Sequence, residues 1–586
     1  MRVLGIEGTA WCASAALYDA ETDSVLIESN PYEPDSGGIH PREAAEHMSE
    51  AIPEVVDAAL TAAEEEYGPD AVDAVAFSRG PGLGPCLRTV GTAARSLAGA
   101  LDVPLVGVNH MVAHLEIGRH RSGFENPVCL NASGANAHLL GYHDGRYRVL
   151  GETMDAGVGN AIDKFTRHVG WDHPGGPKVE AAARRYAEGS DGLGGLLDLP
   201  YVVKGMDFSF SGISSAANDA YDDGVPVDEI CFSLQEHVFA MLTEVSERAL
   251  SLTGADELVL GGGVAQNDRL REMLASMCDA RGARFHAPEP RFLRDNAGMI
   301  AVLGAKMAAA GDTLPVRESA IDPNFRPDQV PVTWRHGESV ARGRAPGSDD
   351  GTDADRRGAE ATVEIVAAGG DSGEAGAGAE DGDAADRRVI KRRVPKEYRH
   401  PELDRTLRRD RTVAEARLTS EARRAGVPTP LVYDADVPNA TLTLQHVGDC
   451  DLAAALDDGT ERAAAVGRHL ARLHDTGIVH GDPTTRNARV WTDALGERST
   501  TEERATTGEE VSAPDDRAAL IDFGLAYHTG HVEDHAMDLH VFEGSVRATA
   551  TDPDPLIEAF EAGYAELGDD DVLDRLRDVQ GRGRYR

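Results

Sequence analysis

Residues 335–357 consist mainly of Gly, Asp, Arg, Ser and Ala and hold almost no apolar side chain. Such a stretch buries too little hydrophobic surface to offset the cost of ordering it. It therefore divides the 586 residues into two units, each of which must close its own core. Units over 1–325 and 358–586 are expected, with a flexible linker over 326–357. The formal net charge of -42 argues against a nucleic-acid partner unless the surface is adapted to high salt, where screening tames self-repulsion. Abundant Asp, Glu, Ala and Gly with few aromatic residues favour that adaptation. The six cysteines, Cys12, Cys86, Cys129, Cys231, Cys278 and Cys450, show no CxxC spacing. This excludes a thiolate zinc site and a disulfide framework and suits a reducing cytoplasm. Met1 leads straight into a strand, and no apolar run reaches membrane-spanning length, so a cytoplasmic protein without membrane insertion is expected.

In the first unit, Val3–Thr9 reads as a buried strand ending in Gly-Thr, and Ala13–Tyr18 as the returning arm of a hairpin. A long Ala-rich helix is expected over roughly 43–66, a strand at Ala74–Phe77, and a glycine-rich loop at Ser78–Pro85 opening a helix near Leu87. The segment Val128–His138 repeats the strand, small-residue turn, strand pattern of the N-terminus. Two such hairpins suggest an α/β fold duplicated around a nucleotide cleft, the form of the actin/hexokinase/Hsp70 architecture. Leu258–Leu260 enters the triple glycine Gly261–Gly263, which lets the backbone approach a flat or phosphorylated ligand.

His110 and His114 lie four apart after the strand Leu105–Val108, a spacing that points two imidazoles from one helical face. Such a pair also occurs on ordinary surface helices. Met111 stands where a zinc peptidase of the His-Glu-x-x-His type needs its glutamate, so a metallopeptidase lacks its general base.

The segments SRGPGLG (78–84), HMVAH (110–114), SGAN (133–136), GNAIDKF (159–165), HPGGPKVE (173–180), KGMDFSFSG (204–212), GGGVAQN (261–267) and RDNAG (294–298) together resemble the universal tRNA threonylcarbamoyladenosine transferase family. In archaea this is the transferase of the KEOPS complex. The resemblance runs over about 1–325. It implies that His110, His114 and Asp295 hold one divalent metal, iron(II) or else zinc(II), and that Asn131, Ala132, Ser133, Gly134, Ala135, Asp163, Gly176, Glu180 and Asn267 contact threonylcarbamoyl-AMP. The family places a tyrosine ligand where this chain has Asn131. On residue type alone, Asp163 and Glu180 read as helix-surface charges. The implied reaction moves the threonylcarbamoyl group to the adenosine 3′ to the anticodon in tRNAs reading codons that begin with A.

In the second unit, Gly358-Ala359-Glu360-Ala361 opens a strand over 362–366, and a second strand carries Lys391. A following helix carries Glu415; then come Asp482 and Asn487 in HGDPTTRN and Asp522 in DFG. These parts and spacings match a bilobal α+β protein kinase. Insertions are expected at about 369–386 and 496–516. His-Gly-Asp, the Gly358–Ala361 opening and the run VIKRRVPKEYRHP (389–401) resemble the small RIO-like kinase of the same complex. The resemblance implies ATP with Mg²⁺, Lys391 on the phosphates, Glu415 orienting it, Asp482 as proton acceptor, and Asn487 and Asp522 on the metal. Other small KEOPS subunits and tRNA are the implied partners. The basic run Arg387–Arg411 and the tail Arg582–Arg586 are the candidate RNA contacts. The alternative is a signalling kinase tethered to a regulatory Hsp70-like module, which needs no metal site.

Overall fold

A computed structural model describes residues 1–32, 39–134, 136–143, 145–189, 194–335, 356–367, 387–456, 459–491 and 518–581. Both expected insertions, the middle of the expected linker, Ala135 and the tail 582–586 lie outside the described residues.

The first unit holds two five-stranded sheets. Strands β1 (Arg2–Glu7), β2 (Cys12–Asp19) and β3 (Ser24–Pro31) form an antiparallel meander, and β4 (Ala74–Gly80) and β5 (Leu105–Asn109) extend it in parallel, in the order β3-β2-β1-β4-β5. The second sheet repeats this with β6 (Val128–Ala132), β7 (Ala137–His143) and β8 (Arg146–Glu152). A two-residue hairpin, β9 (Val203–Lys204) and β10 (Asp207–Phe208), intervenes before β11 (Glu257–Gly261) and β12 (Arg284–His286). Its order, β12-β11-β6-β7-β8, is the first order read from the other end. The expected duplication is therefore present in the strand order itself. The helix expected over 43–66 spans Pro41–Tyr67.

Helix His110–Ser122 packs against β4 and β5 of the first sheet and β6 and β11 of the second. Lodged between two sheets, it buries every residue from His110 to Gly118. Its imidazoles thus occupy the interior, and the surface-helix reading of the pair falls.

The expected linker begins too early. Val330 is buried, Trp334 stacks on Tyr147 with ring centroids 6.2 Å apart, and Arg335 lies 3.7 Å over the Tyr142 ring. The residues up to 335 thus pack on the second sheet, because one Val and one Trp among polar neighbours suffice to anchor them.

The second unit has a five-stranded antiparallel sheet of β13 (Arg356–Arg357), β14 (Ala361–Ala367), β15 (Arg387–Arg393), β16 (Val432–Asp436) and β17 (Thr441–Gln445), ordered β13-β14-β15-β17-β16. Helix Pro401–Arg424 packs beside it, against the turn Phe523–Leu525. The remainder is largely helical, with Leu470, Phe523, Phe542, Phe560 and Tyr564 in its core.

One carboxylate in that core makes stability depend on pH. Glu543 is fully buried and accepts from Arg547 and, at 2.6 Å, from Gln580. Burial, together with the neighbouring Glu561 carboxyl, pushes its pKa up to about 7 against the pull of Arg547. Because the folded value lies above the ordinary one, the protonated form favours folding. That contribution is complete below the ordinary carboxylate range and is lost as pH rises through about 7. Wild type should therefore lose more Tm between pH 6 and pH 8 than Glu543→Gln, by about 3 °C if roughly 1 kcal/mol is at stake; parallel melting curves at the two pH values would contradict this.

Candidate functional sites in the two halves

Asn109 ends β5 and caps the next helix, its Oδ1 accepting from Val112 N at 3.0 Å. This starts the helix at His110 and sets the two histidines one turn apart, their rings 4.9 Å between centroids and nearly perpendicular. Asp295 arrives from the loop before helix Ala297–Ala309, whose cap is Asn296. Its Oδ1 lies 3.4 Å from His110 Nε2 and 3.2 Å from His114 Nε2. The ligand atoms of the three residues lie within 4.8 Å of one another.

The electrostatics suit a cation. Burial opposes charge on Asp295, yet His110 and His114 hold its carboxyl far below the usual range. Burial also opposes a charged His110, but Glu7 and Asp295 raise it well above its ordinary value. Burial lowers His114 from its ordinary value, which favours the neutral imidazole that a metal needs. Two imidazole nitrogens and one carboxylate oxygen, enclosed and partly open to further ligands, fit a first-row divalent metal.

Asn131 is a different matter. A Cβ placed on Gly261 would lie 3.5 Å from Asn131 Oδ1 and 3.9 Å from His114 Nδ1. Gly261 thus lies between the Asn131 amide and the Nδ1 side of His114, whereas Nε2 faces Asp295. Asn131 Oδ1 has no hydrogen-bond partner among the described residues.

Around this cluster the backbone comes close. Gly262 adopts φ 87°, and a Cβ there would collide with the Ala132 carbonyl oxygen at 2.2 Å. Gly159 packs against Gly134, where a Cβ would stand 2.7 Å from Gly134 Cα. The Ser133–Gly134 turn, the start of helix Val158–His168 and the triple glycine thus share one wall. Asp163 accepts from Gly175 N at 2.8 Å and pairs with His173 at 3.1 Å, so it orders the turn leading into Gly176. It is not the plain surface charge that its residue type suggested. Glu180 accepts from Asp268 N at 3.2 Å. Asn267 caps helix Asp268–Arg281 and donates to Gln235.

In the second unit, Lys391 on β15 meets Glu415 at 2.8 Å and Asp522 at 2.6 Å. Asp522 takes a left-handed backbone, φ 65°. Its partly exposed carboxyl is held far below the usual range by Lys391 and Arg393, against desolvation. Asn487 donates to Asp482 Oδ2 at 3.0 Å. Asp538 accepts from the amides of His480 and Gly481, fixing that loop.

The residues that went unrecognised in the sequence lie on the buried helix Val227–Thr253. Arg248 reaches across and pairs with Asp482 at 2.7 Å. Burial raises the Asp482 pKa even so. Glu244 takes Arg399 at 2.7 Å and Arg411 at 3.0 Å, and Glu247 takes Lys396 at 2.6 Å. Glu360 pairs with Arg248 and Arg411, and Gly481 O accepts from Gly205 N at 2.8 Å. Charges at positions 244, 247 and 248 read as one solvated helix face; only the partners across the junction identify them. The basic run is corrected accordingly. Lys391, Arg393, Lys396, Arg399 and Arg411 are buried, and their acidic partners are within the protein; Arg408 is half-buried, and Arg387, Arg388, Arg392, Arg405 and Arg409 are exposed.

Residues 22–302 match the family model described as tRNA N6-adenosine threonylcarbamoyltransferase. The whole chain is 66% identical to the "Probable bifunctional tRNA threonylcarbamoyladenosine biosynthesis protein" of Halobacterium salinarum, covering 100% of this chain and 99% of that protein. The chain belongs to this bifunctional family. A member from Methanospirillum hungatei is 47% identical over 100% of this chain and 99% of its own length. Among solved structures, T. kodakarensis HypF matches 53% of this chain and 48% of its own at 12% identity, with a TM-score of 0.40. As a family member the chain takes part in threonylcarbamoyladenosine biosynthesis, and its first half is a transferase. No described helix is long and apolar enough to cross a membrane.

Proposed function

We propose that the first half transfers the threonylcarbamoyl group from threonylcarbamoyl-AMP to N6 of the adenosine 3′ to the anticodon in tRNAs reading A-initial codons. The convergence of His110, His114 and Asp295, with the close-packed glycine backbone of Gly134, Gly159 and Gly262, carries this reading. These three residues would hold a divalent metal, iron(II) or else zinc(II), which when bound supplies Lewis acidity at the acyl-phosphate. Asp163, through the Gly175–Gly176 turn, and Glu180 and Asn267 would shape the adenylate wall with Ser133 and Gly134.

The tRNA amine attacks the carbamoyl carbonyl directly. The bond from that carbon to the phosphate oxygen breaks, AMP leaves, and the amine loses one proton. Nearby thiols are unsuited to act as nucleophiles: burial pushes Cys12 and Cys129 up to about 12, so they remain protonated.

The second half is read as a RIO-like kinase fold that binds ATP with Mg²⁺. Lys391, oriented by Glu415, would grip the phosphates, while Asn487 and Asp522 hold the ion. Its main role is ATP hydrolysis in support of the modification cycle. Arg248 on Asp482 and Gly205 against Gly481 support this, because contacts from the first half already occupy the loop that a polypeptide hydroxyl would have to reach. Other small KEOPS subunits and the exposed arginines of 387–409 complete the proposed tRNA assembly.

In cells deprived of their own copy, the chain should restore threonylcarbamoyladenosine in bulk tRNA, and Asp295→Asn should not. Equal restoration by both, read by nucleoside mass spectrometry, would overturn the assignment.

A further inference from the structure

From the burial and bonding of Glu7 we infer that it is the positioning residue of the first site: it fixes the tautomer and ring orientation of His110. The inference rests on the proposed metal-binding role of His110.

Glu7 ends β1, Ser78 lies in the neighbouring β4, and His110 follows the next strand, β5. The parallel order β1-β4-β5 thus brings three segments far apart in sequence to the C-terminal end of adjacent strands. Glu7 is fully buried at the end of an apolar strand, a placement that is costly for a carboxylate unless every oxygen is satisfied. Its Oε1 accepts from Thr9 N at 2.8 Å. Its Oε2 accepts from the Ser78 hydroxyl and lies 3.1 Å from His110 Nδ1.

An acceptor at Nδ1 keeps a ring proton there, so that the nitrogen left to meet a metal is Nε2, which faces the space shared with Asp295. A carboxylate behind a ligating imidazole also raises its basicity. His114 has no such support, since its buried Nδ1 finds no partner among the described residues. The two histidines are therefore unequal: His110 has a carboxylate behind its ring, and His114 has no acceptor at Nδ1 among the described residues.

Cobalt(II) is a suitable probe because its d–d absorption reports ligand geometry. The test titrates the purified full chain with cobalt(II), comparing wild type, Glu7→Gln and Glu7→Asp, with melting curves in metal-free buffer to verify folding. Glu7→Gln keeps the shape, but its amide must turn NH₂ toward either Thr9 N or the Ser78 and His110 side. Glu7→Asp keeps the charge and withdraws it from Nδ1. Each variant is expected to bind cobalt about 10- to 100-fold more weakly, with an altered absorption band, and to melt cooperatively in metal-free buffer at a Tm lowered by the lost contacts of the buried carboxylate. Wild-type affinity and spectrum in either folded variant would overturn the inference alone. A wild-type chain that takes up no cobalt would overturn the metal reading and this inference with it.

Discussion

Replacing His110 by alanine is expected to lower threonylcarbamoyl transfer by at least about 10²-fold while ATP hydrolysis by the second half is kept. His110 supplies one of two imidazoles to the cluster, and it is the one whose Nδ1 is already engaged by Glu7. Alanine removes a ligand and leaves Glu7 with one fewer donor in a buried strand, so two losses act together. An interaction that stabilises charge at a reacting carbonyl is worth about 10²–10³ in rate. Single-turnover transfer from supplied threonylcarbamoyl-AMP, followed by nucleoside digestion, measures the effect. Undiminished transfer would remove the metal centre from the mechanism.

The second large effect is expected at Asp482. Asp482→Asn should slow ATP hydrolysis by about 10²–10⁴-fold, the usual contribution of a positioned general base. The amide can keep the contact with Asn487 but not the ion pair with Arg248, now made at 2.7 Å. Transfer from preformed threonylcarbamoyl-AMP in one turnover should persist, because the first site is separate. Modification in cells should nevertheless disappear if hydrolysis drives the cycle. Phosphate release and cellular tRNA composition read the two effects; normal modification alongside lost hydrolysis would break the proposed coupling.

The metal cluster is legible in the sequence because a helical i, i+4 histidine pair is a local pattern, and Asp295 enters through the family motif around it. The duplication is legible because both hairpins break at small residues, Gly8-Thr9 and Ser133-Gly134. What escapes is whatever depends on the packing of the two units. Arg248 and Asp482 are 234 residues apart, and no periodicity connects them. In a chain of net charge -42, a cluster of arginines suggests RNA; the fold instead pairs five buried basic residues of that run, Lys391, Arg393, Lys396, Arg399 and Arg411, with acids buried inside the protein. Glu7 offered a signal that was passed over, since a lone carboxylate closing an apolar strand must find donors.

The most direct measurement is mass spectrometry of tRNA nucleosides after incubating the purified chain, with its partner subunits, tRNA and threonylcarbamoyl-AMP, before and after chelator treatment. Threonylcarbamoyladenosine that forms, is lost on chelation and returns with iron(II) is the predicted result. Equal product with and without chelation, or no product from the untreated chain, would contradict a metal-assisted transferase built on His110, His114 and Asp295.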